Sequence, residues 1–185
     1  MDFKFTQDWF SHNIQGLETI LPLLPDNKKF LEIGAFEGRA SVWFASKLGE
    51  KGVLICIDTW EGSEEHTNID FKEVEKNFEH NLNLSKHKII KLKGTSIQAY
   101  QSICLDEFDL IYIDGSHTAP DVMTDAVMYF NLLKKGGVMV FDDYLWGKQL
   151  GVLHNPKIAI DTFTSIYSEK LDICMIGYQL AIKKR

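Results

Sequence analysis

Five short apolar runs do most to limit the folds open to this chain: KFLEI (29–33), VLICID (53–58), KIIKL (88–92), FDLIYID (108–114) and GVMVFDD (137–143). Each has strand length, and most are rich in β-branched or aromatic residues. Helix-period segments separate them, near Gly38–Leu48, Phe71–Leu82, Ser96–Leu105 and Asp121–Leu133. Strands that alternate with helices, several apolar throughout, build a parallel sheet covered on both faces. After the fifth run the pattern changes. Asn155 is expected to cap a last helix opened by Pro156, and LDICMI and YQLAIKK about Gly177 form an antiparallel hairpin that closes the sheet. The expectation is a doubly wound α/β fold, a mostly parallel seven-stranded sheet with a C-terminal antiparallel hairpin.

The 185 residues suit a single domain, 1–185. An opening helix is expected over Thr6–Leu21, with Trp9, Phe10, Ile14, Leu17 and Leu21 near one face and Pro22 and Pro25 breaking it. Residues 1–25 are then a lid over the site, a homodimer contact or simple core packing. The formal net charge of −6 argues against nucleic acid as partner. The lysines of KHKIIKLK (86–93) alternate with apolar residues, as on a strand with one solvated face. Cys56, Cys104 and Cys174, odd in number and set among apolar neighbours, are expected to be reduced core thiols. MDFKFTQDWF lacks the pattern of a secretory signal, and no run approaches a membrane span, so a cytoplasmic protein without a membrane partner is expected.

In doubly wound sheets ligands bind beyond the carboxyl ends of the strands, so those ends carry the functional reading. The first strand leads into LEIGAFEGRAS. Gly34 allows a tight turn and Gly38 lets the next helix start close to the sheet. Phe36 stands where a dinucleotide fingerprint has its second glycine, so this is not G-x-G-x-x-G. Asp58 ends the second strand, placed to accept hydrogen bonds from ribose hydroxyls, or else to cap a turn.

FLEIGAFEGRASVWFASKL, CIDTWEGSEEH, FDLIYIDGSHTAPDVMTDA and LLKKGGVMVFDDY together resemble a class I S-adenosylmethionine-dependent methyltransferase, a Rossmann-like fold, over roughly residues 29–183. The closer likeness is to small metal-dependent O-methyltransferases of the sugar and macrolide-glycoside type, with catechol O-methyltransferase more distant. The resemblance implies that Glu32, Gly34, Ala35 and Gly38 form the cofactor loop and that Asp58 holds the ribose. Thr59 and Trp60 would border the adenine, and Ser96 would lie near the adenine edge. Many class I members carry an acid near Ser96, whereas this chain reads KGTS.

The fourth strand ends at Asp114 and its expected neighbour, the fifth, at Asp142 and Asp143. Carboxylates brought together there would repel and raise one another's pKa values. A divalent cation resolves this, and oxygen ligands suit Mg²⁺, or Ca²⁺ or Mn²⁺. The alternative is one capping and one solvated aspartate. His117 stands where the catechol-type pattern has a proton-abstracting lysine, so the resemblance makes it a general base, with Asp114 beside it, unless it only orients Asp114 or contacts substrate. The function implied is methyl transfer from S-adenosylmethionine to a hydroxyl of a small molecule or sugar. A nicotinamide-dependent oxidoreductase and a non-catalytic S-adenosylmethionine-binding protein are the alternatives. Glu64, Glu65 and His66 read as a solvated loop or lid, and His12, His80, His87 and His154 as surface or cap residues. One of Trp146, Lys148 and His154 is expected to touch substrate.

Overall fold

The computed structural model describes residues 2–26, 28–62 and 68–185. Seven strands form one sheet in the order β3-β2-β1-β4-β5-β7-β6. They are β1 (Lys29–Ile33), β2 (Val53–Asp58), β3 (Lys88–Lys93), β4 (Phe108–Ile113), β5 (Leu133–Phe141), β6 (Leu171–Ile176) and β7 (Leu180–Lys184). The first five pair in parallel, and β7 runs antiparallel to both β5 and β6. The fold read from the sequence is therefore the fold observed.

Alternate strand residues go to opposite faces, as the two-residue period requires. Leu31, Ile57, Ile111 and Met139 meet Ala99 of α4 (Ser96–Ile103), Ala126 of α5 (Ala119–Phe130) and Phe163 of α6 (Pro156–Ile166). Phe30, Cys56, Tyr112 and Val140 face Leu17 of α1 (Ile14–Ile20), Phe44 of α2 (Arg39–Ser46) and Phe78 of α3 (Phe71–Leu84). The chain winds outward through β1, β2 and β3, then returns to lay β4 beside β1. That reversal places the ends of β1 and β4 at the topological switch point.

Several boundaries differ from expectation, each for a local reason. Thr6–Phe10 is not helical: Thr6 donates its N–H to Glu37 Oε2 at 2.6 Å, and Lys4 exchanges two bonds with the Asn81 side chain, each 2.7 Å. Tertiary partners thus claim backbone groups of this stretch, and Ser11–Leu23 coils, as two 3₁₀ turns flanking α1. β5 begins at Leu133, because its pairing with β4 shifts register between Phe108 and Leu110 near Gly136, where φ is +80°. α5 starts at Ala119, since the Thr118 side chain caps it through Asp121 N–H. Asn155 occupies the N-cap position of α6 but makes no side-chain cap, and its buried Oδ1 lacks a hydrogen-bond partner among the described residues. Only Cys56 is a core thiol; Cys104 and Cys174 are exposed. Lys91 bonds Glu75 and Glu79, and Lys93 bonds Glu75, so these two lysines of β3 face acidic α3 residues at the sheet edge. Among the described residues no helix is long and apolar enough to cross a membrane.

Candidate active site

The carboxyl ends of β1, β2 and β4 open onto a cleft of about 420 Å³. Gly34 is what lets them converge. Its φ is +86°, and a Cβ there would lie 1.8 Å from the Asp114 carbonyl oxygen. Gly34 N–H donates to Ile57 O and Asp114 N–H to Ile33 O, each at 2.8 Å, so the turn is tied to both neighbours. Its small size serves the approach of β4, where the sequence pointed to a tight turn alone. Gly38, at φ +80°, would put a Cβ 2.9 Å from the Phe78 ring, so its absence of side chain serves α3 and not the sheet. Phe36, in the place of a second glycine, keeps the left-handed conformation at φ +48°. Trp60 Nε1 donates to Phe36 O at 2.9 Å and the Phe36 ring packs on Trp9 at 4.9 Å, contacts that hold a conformation costly for a side chain.

Asp58 ties the same turn to β2. Its Oδ2 accepts from Ala35 N–H and Phe36 N–H, both at 2.8 Å, and Oδ1 accepts from Trp60 N–H at 2.7 Å. A carboxylate oxygen has two acceptor positions, so Oδ1 keeps one for a ligand hydroxyl. Ala35, Thr59 and Ser96 line the cleft. Trp60 does not. It is 3% exposed, with its ring between Phe78 at 4.7 Å and the Lys91 ammonium at 4.6 Å, so its place bordering adenine is corrected to a buried brace for the loop.

Glu32 lines the cleft from the end of β1 and is wholly buried. Its Oε2 accepts from Ser41 Oγ at 2.5 Å and Cys56 Sγ at 3.1 Å, while the buried Oε1 has no hydrogen-bond partner among the described residues. Burial pushes its carboxyl up to about 8, a position suited to a cationic ligand group. Glu37 is a structural residue that sequence reasoning missed. It is 2% exposed and accepts from Thr6 and from Asn77 Nδ2 at 2.9 Å. Partners 31 and 40 residues away leave no local signal.

At the cleft mouth the structure gathers Asp114, His117 and Asp143, with one ligand atom of each within 4.8 Å of the others. His117 Nε2 lies 2.9 Å from Asp143 Oδ2. Burial, and then the charges of Asp142 and Asp143, hold the Asp114 carboxyl well above the usual range. Asp142, the third acid of the expected trio, is near enough for its charge to act on Asp114 but is anchored on its core side. Its Oδ1 points into the core and accepts from Asn13 Nδ2 at 2.8 Å, from Tyr112 Oη and from Gln179 Nε2. Burial pushes it up to about 7. The two acids lie in the turn that follows β5, and the donors of Asn13, Tyr112 and Gln179 hold the first of them inward.

Around Asp143 stand two aromatic residues. Trp146 packs on His117 with ring centroids 4.5 Å apart. Tyr178, at the tip of the β6–β7 hairpin, hydrogen-bonds Asp143, and burial raises its hydroxyl to about 12. The Tyr178 ring meets His12 at 5.6 Å, so His12 is near the mouth and not a bare surface residue. Lys148 and His154 are exposed, and His80 takes Asp2 O as partner at 3.1 Å. Glu64, Glu65 and His66 lie outside the described residues.

Residues 31–144, more than half of the chain, match a family model described as a methyltransferase domain. A curated relative from Dictyostelium discoideum named "probable caffeoyl-CoA O-methyltransferase 3" is 27% identical over 143 residues, covering 75% of this chain and 53% of its own length. The chain spans between about half and two thirds of such curated relatives, 53% to 64%. An O-methyltransferase from Bacillus cereus in complex with SAH superposes with a TM-score of 0.69 at 16% identity, covering 97% of this chain and 84% of that one. An O-methyltransferase from Streptomyces achromogenes involved in tomaymycin synthesis, in complex with SAM, gives 0.70 at 18% identity, with 95% and 82% covered.

Proposed function

The chain belongs to the methyltransferase-domain family, and from that premise we propose that it transfers a methyl group from S-adenosylmethionine to a hydroxyl oxygen of a small molecule or sugar, with a divalent cation on the acceptor side. One observation carries the reading beyond the family. Asp114, His117 and Asp143 meet at the mouth of the same cleft that holds the Gly34 turn and Asp58. The names of the similar proteins, O-methyltransferases with SAH or SAM bound, support the cofactor and the class of acceptor. A nicotinamide cofactor has no such support.

The residues fit a cation. Two close acids, Asp114 and Asp143, the first held above its usual range by burial and then by the charges of Asp142 and Asp143, form a site that a doubly positive ion stabilises. Asp114 and Asp143 would hold Mg²⁺, or Ca²⁺ or Mn²⁺, all of which favour carboxylate oxygens. When bound, S-adenosylmethionine supplies a methyl group on a sulfonium, and the cation supplies a hydroxyl of lowered pKa. The remaining work belongs to the chain. Glu32 accepts a hydrogen bond from the amino group of the cofactor's methionine end, and Asp58 Oδ1 takes a ribose hydroxyl. Gly34 leaves the backbone open for close approach. His117 takes the acceptor's proton, and Asp143 Oδ2, 2.9 Å from Nε2, stabilises the imidazolium that results. Trp146 and Tyr178 bound the acceptor's side of the mouth.

Paired substitutions test this division of labour. Asp143→Ala is expected to cut turnover at least about 100-fold while thermal stability stays within a few degrees. Asp142→Ala leaves three buried donors without an acceptor, which costs about 3 kcal/mol and lowers Tm by about 6–12 °C. Melting curves and initial rates for both variants decide it. A large loss of stability on removing Asp143, with Asp142→Ala neutral, would reverse the two assignments.

A further inference from the structure

At the end of the cleft where α4 and α5 begin lies a buried acid that the function above does not use. Asp125 lines the cleft from the second turn of α5 and is 4% exposed. Its carboxyl hydrogen-bonds the side chain of Ser96, the first residue of α4. Ser96 is itself fixed, since Tyr129 Oη donates to its carbonyl at 2.7 Å, and Tyr129 is braced edge-on by Tyr100 at 5.5 Å.

The other polar groups at this end are already engaged. Thr95 and Gln98 close a capping box on α4. Asp121 Oδ2 accepts from Ser116 Oγ at 2.7 Å and from Thr118 Oγ1 at 2.8 Å. Thr124 Oγ1 donates to Pro120 O at 2.8 Å. Ile97, on the cleft wall beside Ser96, has no polar group to offer. An acceptor-only carboxylate, held in place by one hydroxyl and facing a cleft of nucleoside size, is matched by a ligand edge that carries N–H donors.

Given the S-adenosylmethionine reading, on which this rests, we propose that Asp125 reads the exocyclic amino group of the cofactor's 6-aminopurine. An acid is absent from the KGTS turn after β3, and Asp125 of α5 supplies one beside Ser96. Asp125 and Ser96 together then select a purine with an amino group at position 6 over one with a carbonyl there, whose oxygen would face the carboxylate with like polarity. Burial, which raises the Asp125 carboxyl to about 6, still leaves it mostly ionised at neutral pH and fit to accept.

Calorimetric titration with S-adenosylhomocysteine and S-inosylhomocysteine tests it. Wild type is expected to bind the adenosine form about 10- to 100-fold more tightly, the range of one charge-assisted hydrogen bond. Asp125→Asn keeps the volume and can donate to a carbonyl, so the preference is expected to fall to within about 3-fold. Melting of the ligand-free variant checks its fold. An unchanged preference in a folded Asp125→Asn would overturn the assignment. So would equal binding of both ligands by wild type, a result that stands whether or not the variant folds and leaves the cofactor reading intact. Binding of neither ligand by wild type removes that reading and the assignment with it.

Discussion

Gly34→Ala is expected to leave little folded protein. The added Cβ would stand 1.8 Å from the Asp114 carbonyl oxygen and 2.4 Å from its carbon, and neither is the end of a side chain that can swing away. Both belong to the backbone leaving β4, which is buried along its whole length. The φ of +86° adds strain that any L side chain meets there. To relieve the clash β1 and β4 would have to separate where Asp114 N–H bonds Ile33 O. The loss is expected to exceed about 4 kcal/mol, a large part of the 5–15 kcal/mol that holds a typical domain together. Soluble yield and circular dichroism measure it. A folded Gly34→Ala with near wild-type Tm would show that the strand ends do not meet as described. Gly38→Ala is the milder comparison: it meets the same strain at φ +80°, but its Cβ would press on the Phe78 side chain at 2.9 Å and not on backbone.

The second large effect is on chemistry. His117→Gln keeps a side chain against Trp146 but removes the group that accepts a proton near neutral pH. The kcat is expected to fall by about 10²–10⁴, the usual worth of a positioned general base. Cofactor affinity is expected to change by less than about 3-fold, because the partner at 2.9 Å is Asp143, on the acceptor side. The sign of the pH effect follows from the role. The neutral imidazole is the active form, so wild-type rate rises with pH through the His117 titration, and the variant loses that limb. Rate profiles over pH 5–9 distinguish this from a passive role, in which rate falls slightly and the profile keeps its shape.

The parts of this arrangement that were legible in the sequence are those governed by local pattern. β1 and β2 match their apolar runs residue for residue because central parallel strands are apolar on both faces and end where polarity returns. The strand ends carried Glu32, Gly34, Asp58 and Asp114 into one cleft, since doubly wound topology brings them there whatever the helices do. What sequence could not show depends on distant partners. Thr6 and Lys4 look like the start of a helix until Glu37 and Asn81 claim their backbone groups. Asp142 and Asp143 are alike as letters, and only Asn13, Tyr112 and Gln179 draw one of them inward. Trp60 follows Asp58 in sequence, but a left-handed turn at φ +50° sends its ring under the loop. Asp125 stayed hidden for the opposite reason. It sits on a helix whose pattern is that of core packing, and only the nearness of α4 puts it at a ligand cleft.

The central claim is that this cleft binds S-adenosylmethionine and that the cation belongs to the acceptor side. Its most direct test is a calorimetric titration of S-adenosylmethionine into the protein with Mg²⁺ and again with excess chelator. The expected result is micromolar binding in both buffers with affinities within about 3-fold of each other, since neither Glu32 nor Asp58 is among the three residues gathered at the mouth. No binding in either buffer, or binding lost on chelation, would contradict it.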